Sequence, residues 1–301
     1  RGIGIAVGFK NIGFSFGYQE TCWVKIELNG QQEVERAALY IGSAEVGQGA
    51  HTVITQMAAE ALHLPIDLVS LYPCDTATSP GSSGSVSASR MTFMAGNGIR
   101  EAAAAALGKW EDGERPVVVE HTYFAPKTTP FDPVTGYGTP NFAYGYVAQA
   151  VTVDVDTATG QVRVLRVVSA NASGEARNRE EEEGRIEGGV AQALGWATCE
   201  NFIVQGGRVQ TPHLSTYLIP TVADVPEQVE SVIIEQANPD GPWGARGMGE
   251  MPFLPLAPAL VAAVHDATTT QEAGGVWFDE LPLTPERVLQ GLMGQTQEDQ
   301  E

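Results

Sequence analysis

Residues 241–258 read GPWGARGMGEMPFLPLAP. Gly244, Gly247 and Gly249 permit tight turns and a close approach of backbone to another surface. Pro252 and Pro255 exclude a regular helix interior, whereas Pro258 suits a first turn. From Leu256 onward, Ala259, Leu260, Ala263, Val264 and Ala267 fall on one helical face. The stretch is therefore a glycine loop feeding a helix start, with a single carboxylate, Glu250, inside the loop. A lone glutamate in a turn is ordinarily solvated, so its meaning depends on the rest of the chain.

The same plan occurs elsewhere. Residues 23–28 and 34–41 flank Asn29-Gly30, a hairpin signal. The loop GSAEVGQGA then leads into a helix with Ile54, Met57, Ala58, Ala61 and Leu62 on one face. A short strand over 68–72, a Gly/Ser loop, and a small-residue helix burying Ile99, Ala102, Ala103 and Ala106 complete the first unit. In the second, strands over 148–155 and 161–168 joined by DTATG precede the loop NASGEARNREEEEGR. A helix follows with Ile186, Val190, Ala193, Leu194 and Ala197 inward, then an inserted hairpin, NFIVQGGRVQ, and a strand over 229–235. The opening loop and its helix end the series. Hairpin, glycine loop, helix, strand, glycine loop, helix is thus written twice, which predicts an internally duplicated α+β fold with mixed sheets and helices packed on them. The expected lobes are residues 1–108 and 115–292, with 293–301 a disordered tail. Each glycine loop would feed a helix N-terminus, whose unpaired N–H groups and partial positive charge suit an anion such as a pyrophosphate.

The 301 residues are enough for a large core, and 43% hydrophobic content with 34 glycines fits a globular, turn-rich protein. Asp and Glu number 37 against 17 Lys and Arg, a formal net charge of −20. That balance argues against non-specific binding to nucleic acid or to an anionic membrane. No apolar run reaches membrane-spanning length. Cys22, Cys74 and Cys199 form no CxxC pair and no disulfide framework, and a reducing cytoplasm is the expected home.

Among the loops, GQGAHT (47–52) places Gln48, an amide that both donates and accepts, between Gly47 and Gly49. His51 beside it reads as a satisfied or solvent-facing histidine. SSGSVSASRMT (82–92) is rich in hydroxyls and small residues and carries Arg90, a composition that wraps an oxygen-rich ligand or forms an ordinary surface loop. Glu180 to Glu183 read as a solvated helix start favoured by the macrodipole. RGIGIAVG at the start mimics a dinucleotide fingerprint but leads into FKNIGFSFGY rather than a helix, which excludes that motif.

Taken in order, VGQGAHTVITQMAAEALHLP, ASRMTFMAGNG, VDVDTATGQVRV, IEGGVAQALGWA, YLIPTVADVP and GPWGARGMGE resemble the molybdenum hydroxylases, the xanthine dehydrogenase and aldehyde oxidase group. The similarity runs from RGIGIAVGFK to LPLTPERVL and corresponds to the C-terminal half of that family's molybdopterin-binding subunit. It implies that Gly47, Gln48 and Gly49 approach molybdopterin, and that Ser87, Ala88, Ser89 and Arg90 lie in a second cofactor-binding loop. Gly247, Met248 and Gly249 would bring backbone to the metal, with Glu250 as the catalytic base. Molybdenum would be held through the pterin dithiolene with no protein ligand, the pterin commonly carrying a cytosine nucleotide. The implied reaction is hydroxylation of an aldehyde or N-heterocycle with water-derived oxygen. A carboxylate in a low-dielectric pocket is well suited to take up the proton. Where relatives read HDVGRAINP…VEGQ, this chain has Ala172 for an Asp, Arg179 for a Pro and Arg185 for a cofactor-facing Gln, an arginine able to grip a phosphate. The implied partners are the N-terminal half of the subunit, and iron–sulfur and FAD modules on other chains or segments. The contrasting expectation is a non-catalytic scaffold that keeps the fold and binds no cofactor.

Overall fold

The computed structural model describes residues 1–73, 75–79, 81–87, 89–271 and 274–298. Strand β1 (Gly2–Asn11) opens the chain. The Asn29-Gly30 signal becomes an antiparallel hairpin of β2 (Thr21–Gly30) and β3 (Val34–Ile41), with an irregular register at Asn29/Gly30 where the turn begins. Helix α1 (Ala50–Leu62) turns Ile54, Met57, Ala58 and Leu62 inward. Strand β4 (Val69–Pro73) returns parallel to β3, the geometry a crossover helix imposes. Helix α2 (Met91–Glu111) buries Ile99, Ala102, Ala103 and Ala106 as its spacing requires. Strand β5 (Val117–Phe124) then joins the free edge of β2, giving the order β4-β3-β2-β5. Ile26, Leu28, Leu39 and Ile41 from this sheet are fully enclosed against α1 and α2. Each such side chain contributes about 1.5–3 kcal/mol on removal from water.

The second unit repeats this arrangement. Strands β6 (Tyr144–Val155) and β7 (Val162–Ala172) form the antiparallel centre, and α3 (Arg179–Thr198) packs Ile186, Val190, Ala193, Leu194 and Ala197 inward. A small hairpin of β8 (Val204–Gln205) and β9 (Arg208–Val209) is the inserted element. Strand β10 (Gln228–Ile233) lies parallel to β7, and α4 (Leu256–Thr268) covers the sheet with Leu256, Ala259, Leu260, Ala263 and Val264. The order is β1-β6-β7-β10, so the two sheets share one topology: an antiparallel hairpin, a parallel strand on one side and an antiparallel strand on the other.

The edge strands correct the expected boundaries. β1, inside residues 1–108, completes the second sheet, and β5, inside 115–292, completes the first. Packing explains the exchange. Gly2 and Gly4 of β1 lie directly on α4, where a Cβ would run into the backbone of Ala259, Ala263 and Ala267. The glycines of RGIGIAVG thus serve strand–helix contact. Val117 and Val119 of β5 point into the first core. The expected tail is also corrected, because α5 (Pro285–Glu298) runs through residue 298, fastened by buried Val288; residues 299–301 lie outside those described. Cys22 is buried and Cys199 half-buried, both as free thiols, while Cys74 lies outside the described residues. Among the described residues no helix is long and apolar enough to cross a membrane.

Candidate functional site

The loops before α1, α2 and α4 converge with the N-terminal half of α3 around a cavity of about 800 Å³. Gly47, Gln48 and Gly49 form one wall, Ser87, Ser89 and Arg90 a second, and Met248, Gly249 and Glu250 a third. Arg185 closes the fourth. Gly247 sits just behind, on a smaller cavity of about 60 Å³ that also touches Arg185 and Met248. Ala88 lies outside the described residues. Residues as far apart in sequence as Gly47 and Glu250 thus share one site.

The side chains within these walls differ from the sequence expectation. In the GQG loop, Gly47 and Gly49 adopt φ of +96° and +73°, and their N–H groups converge with that of His51. The acceptor is the chain's own Glu45: Oε1 takes Gly47 N–H (2.9 Å) and Gly49 N–H (3.0 Å), and Oε2 takes His51 N–H (3.0 Å). Desolvation pushes the Glu45 carboxyl up, but these backbone donors outweigh it and hold it below its ordinary range. Gln48 also turns inward on its loop, its Nε2 donating to Ala44 O (2.9 Å) and its Oε1 accepting from Val46 N–H (2.6 Å). Its amide shapes the wall and is not aimed into the cavity. The His51 ring is satisfied by Ser43 O at 2.6 Å.

Arg90 corrects the expectation more strongly. Its guanidinium turns away from the cavity and is 2% exposed, with Nε 2.6 Å from Glu20 Oε2. Nη1 donates to Ser83 O and Ser85 O, and Nη2 to Thr21 O, so the side chain fastens the 82–90 loop to β2 from behind.

On α3, Arg185 lies in the second turn and not at the helix start. Its Nη2 donates to Gln48 O, joining the two lobes directly. Glu182 is buried, contrary to the solvated helix start expected of Glu180 to Glu183, and Ser173 Oγ donates to its Oε1. Desolvation pushes the Glu182 carboxyl up, with the Ser173 hydrogen bond opposing. Desolvation likewise raises the Glu181 carboxyl and lowers the Arg185 guanidinium.

Glu250 stands at the cavity rim and is exposed, accepting a hydrogen bond from Gln192 Nε2 at 3.1 Å. A low-dielectric enclosure is therefore not supplied by this chain's own walls. Sequence reasoning missed Lys10, Gly184, Gly188 and Gln192, all of which line the cavity. The last three lie at i, i+4 and i+8 of α3, a stripe legible in GRIEGGVAQ. A Cβ at Gly47, Gly184 or Gly188 would meet nothing within 4 Å and would project into open space. A cavity of this size with bare backbone at these positions leaves room for a flat organic cofactor to lie against the chain. Among the described residues no group of three or more His, Cys, Asp or Glu is placed to hold a metal ion.

Comparison with known proteins points the same way. A family model described as "Molybdopterin cofactor-binding domain" matches residues 1–113 and 104–226. A probable xanthine dehydrogenase component of Bacillus subtilis is 31% identical over 97% of this chain, which spans 42% of that relative. The aldehyde oxidoreductase of Megalodesulfovibrio gigas is 30% identical over 97% of the chain, which spans 32% of it. The solved aldehyde oxidoreductase from Desulfovibrio gigas superposes with a TM-score of 0.84 at 28% identity, over 97% of this chain and 32% of that one. The chain thus spans less than half the length of the relatives it matches. With the family model covering most of its residues and two relatives at 30% identity or more over 97% of its length, the chain belongs to the molybdopterin cofactor-binding domain family of the molybdenum hydroxylases.

Proposed function

We propose that this chain forms one wall of the molybdopterin site in a molybdenum hydroxylase, with Glu250 as general base for hydroxylation of an aldehyde or aromatic N-heterocycle. The observation that supports this best is the glycine-floored cavity with Glu250 at its rim. When bound, molybdopterin would supply oxygen transfer from water and accept the two electrons released. Gly47, Gly184 and Gly188 would let its ring system lie against backbone, and Arg185, with donors beyond the one given to Gln48 O, would meet a phosphate. Gln192 holds Glu250 Oε1, and among the described residues Oε2 has no hydrogen-bond partner, so it is free to take a proton. We assign the missing enclosure to the N-terminal half of the subunit, and electron removal to iron–sulfur and FAD partners. The cytosine dinucleotide form and a cytoplasmic location complete the proposal.

The test is Glu250→Gln in the complete assembly. Loss of a general base lowers kcat by about 10²-fold or more, with molybdenum content unchanged. Near wild-type turnover at full molybdenum would make Glu250 a turn residue. The 301-residue chain alone should show no turnover with an artificial electron acceptor, since half the site is supplied elsewhere. One observation favours a second reading, a cofactor-free scaffold: Glu45 already occupies the N–H groups of the GQG loop, and the Glu181 carboxyl lies against Gly49. Stoichiometric molybdenum in the native complex excludes that reading, and its absence supports it.

A further inference from the structure

Lys10 has no part in the proposed reaction, yet it lines the same cavity as Glu250 from the end of β1. Its ammonium donates to Ser89 Oγ at 3.1 Å, and Ser89 Oγ donates to Met248 O at 3.0 Å. A hydroxyl has one proton, so the direction of this relay is fixed: it is given to Met248 O, and the oxygen's lone pair faces Lys10. Met248 O also accepts Met251 N–H at 3.1 Å, closing the turn that carries Glu250. Ser89 adopts φ of +56°, a conformation that a residue with a Cβ keeps only where its surroundings hold it. It is held between Gly247 and Gly249, where a Cβ on the first would strike the Ser89 carbonyl and on the second its hydroxyl. The glycines of GMGE therefore make room for Ser89. Among the described residues no carboxylate lies within salt-bridge distance of the Lys10 ammonium, which leaves Ser89 as its hydrogen-bond partner.

We propose that Lys10 is a positioning residue for Glu250, acting through Ser89 and the Met248 carbonyl to hold the 247–250 loop in place. This rests on the assignment of Glu250 as the base. The charged groups lining the cavity with Lys10 are Glu250 from the loop before α4, Glu181 and Arg185 from α3, and Arg90, whose guanidinium is turned to Glu20. Burial lowers the pKa of the Lys10 ammonium, with the Glu250 carboxylate opposing, so its proton is lost at a lower pH than from a free lysine.

The test compares Lys10→Met, Lys10→Arg and Ser89→Ala in the complete assembly, reading amide hydrogen exchange by mass spectrometry alongside kcat, KM and molybdenum content. Lys10→Met and Ser89→Ala should speed exchange over 246–251 about tenfold while leaving β6 unchanged. Lys10→Met should lower kcat with KM and molybdenum content held, and Lys10→Arg should restore most of it. The wild-type rate should decline as pH rises through the lowered Lys10 pKa, and Lys10→Arg should lose that alkaline decline because arginine stays protonated. Unchanged exchange over 246–251 in both Lys10→Met and Ser89→Ala overturns the proposal, as does equal loss of kcat in the Arg and Met variants. The exchange readout does not depend on catalysis, so failure of the Glu250 assignment, seen as full activity of Glu250→Gln, remains distinguishable.

Discussion

Replacing Arg90 by Met separates a structural clamp from a ligand-binding arginine. The substitution keeps most of the apolar stem and removes the charge. It leaves the Glu20 carboxylate, 1% exposed, with only the Phe14 and Ser15 N–H groups as donors at 2.6 and 3.2 Å. The carbonyls of Thr21, Ser83 and Ser85 lose a charged donor at the same time. Breaking a buried ion pair from one side costs about 3–5 kcal/mol, most of it from the stranded charge. With a urea slope of about 3 kcal/mol/M, that is a fall of about 1 M or more in the unfolding midpoint. Trp23 fluorescence is a suitable signal, because its backbone N–H bonds Ser82 O at 3.1 Å within the clamped loop. Glu20→Met with Arg90→Met should recover much of the loss, since an apolar pair strands no charge. An unchanged midpoint in Arg90→Met, combined with lost molybdenum in the assembly, would refute the clamp and return Arg90 to the cofactor.

Gly4→Ala should destabilise the chain by about 1–3 kcal/mol or more through overpacking against α4, lowering Tm by roughly 2–4 °C per kcal/mol; calorimetry with an unchanged Tm would contradict the β1–α4 contact. Gly184→Ala should do the opposite, raising stability by up to about 1 kcal/mol within a helix, yet lowering molybdenum retention in the assembly because its Cβ enters the cavity. Glu182 has a folded pKa raised by desolvation, so its stability contribution is present below its unfolded value, about 4.3, and is lost as pH rises through the folded one. Glu182→Gln should therefore be more stable than wild type at pH ~8 and flatten the fall in Tm between pH ~5 and ~8; parallel Tm profiles would show that Glu182 contributes nothing to that fall.

The helices were legible because their buried residues carry the 3.6-residue period, as in Ile99, Ala102, Ala103 and Ala106 of α2 or Ile186, Val190 and Ala193 of α3. The edge strand β1 was hidden because its signal is inverted. Its core-facing positions include Gly2 and Gly4, while Ile3, Ile5, Val7 and Phe9 are exposed. No local rule announces that α4, at the other end of the chain, is the surface those glycines fit. Glycine loops marked where the cavity would form, but not which side chains face it. Arg90 and Gln48 look like ligand contacts in sequence, but Glu20, distant in the chain, takes the first, and the carbonyl of Ala44 in its own loop takes the second. Lys10 was invisible for the same reason as its strand.

These partners share one physical logic. Three walls are fastened by polar side chains: Glu45 holds the GQG loop and Arg90 with Glu20 holds the 82–90 loop, while Lys10 with Ser89, themselves on the cavity, holds the loop of Glu250. Toward the cavity the chain presents Gly47, Gly49, Gly184, Gly188, Gly189 and Gly249 among side chains that include Lys10, Arg185 and Glu250. A ligand entering such a site meets loops already ordered, so little conformational entropy is lost on binding, which is the condition for tight retention of a large cofactor. It also separates classes of variant. Changes at Glu45, Glu20 or Arg90 disturb folding and retention together, because the loop itself loses its support, whereas changes at Lys10 act on the loop of Glu250 and on turnover. Changes on the cavity face of α3, at Gly184 or Gly188, leave folding intact or improved and act on retention alone, because the added atoms meet no protein. On the proposed placement of the cofactor, a side chain at either glycine is tolerated by the fold and meets only the bound group.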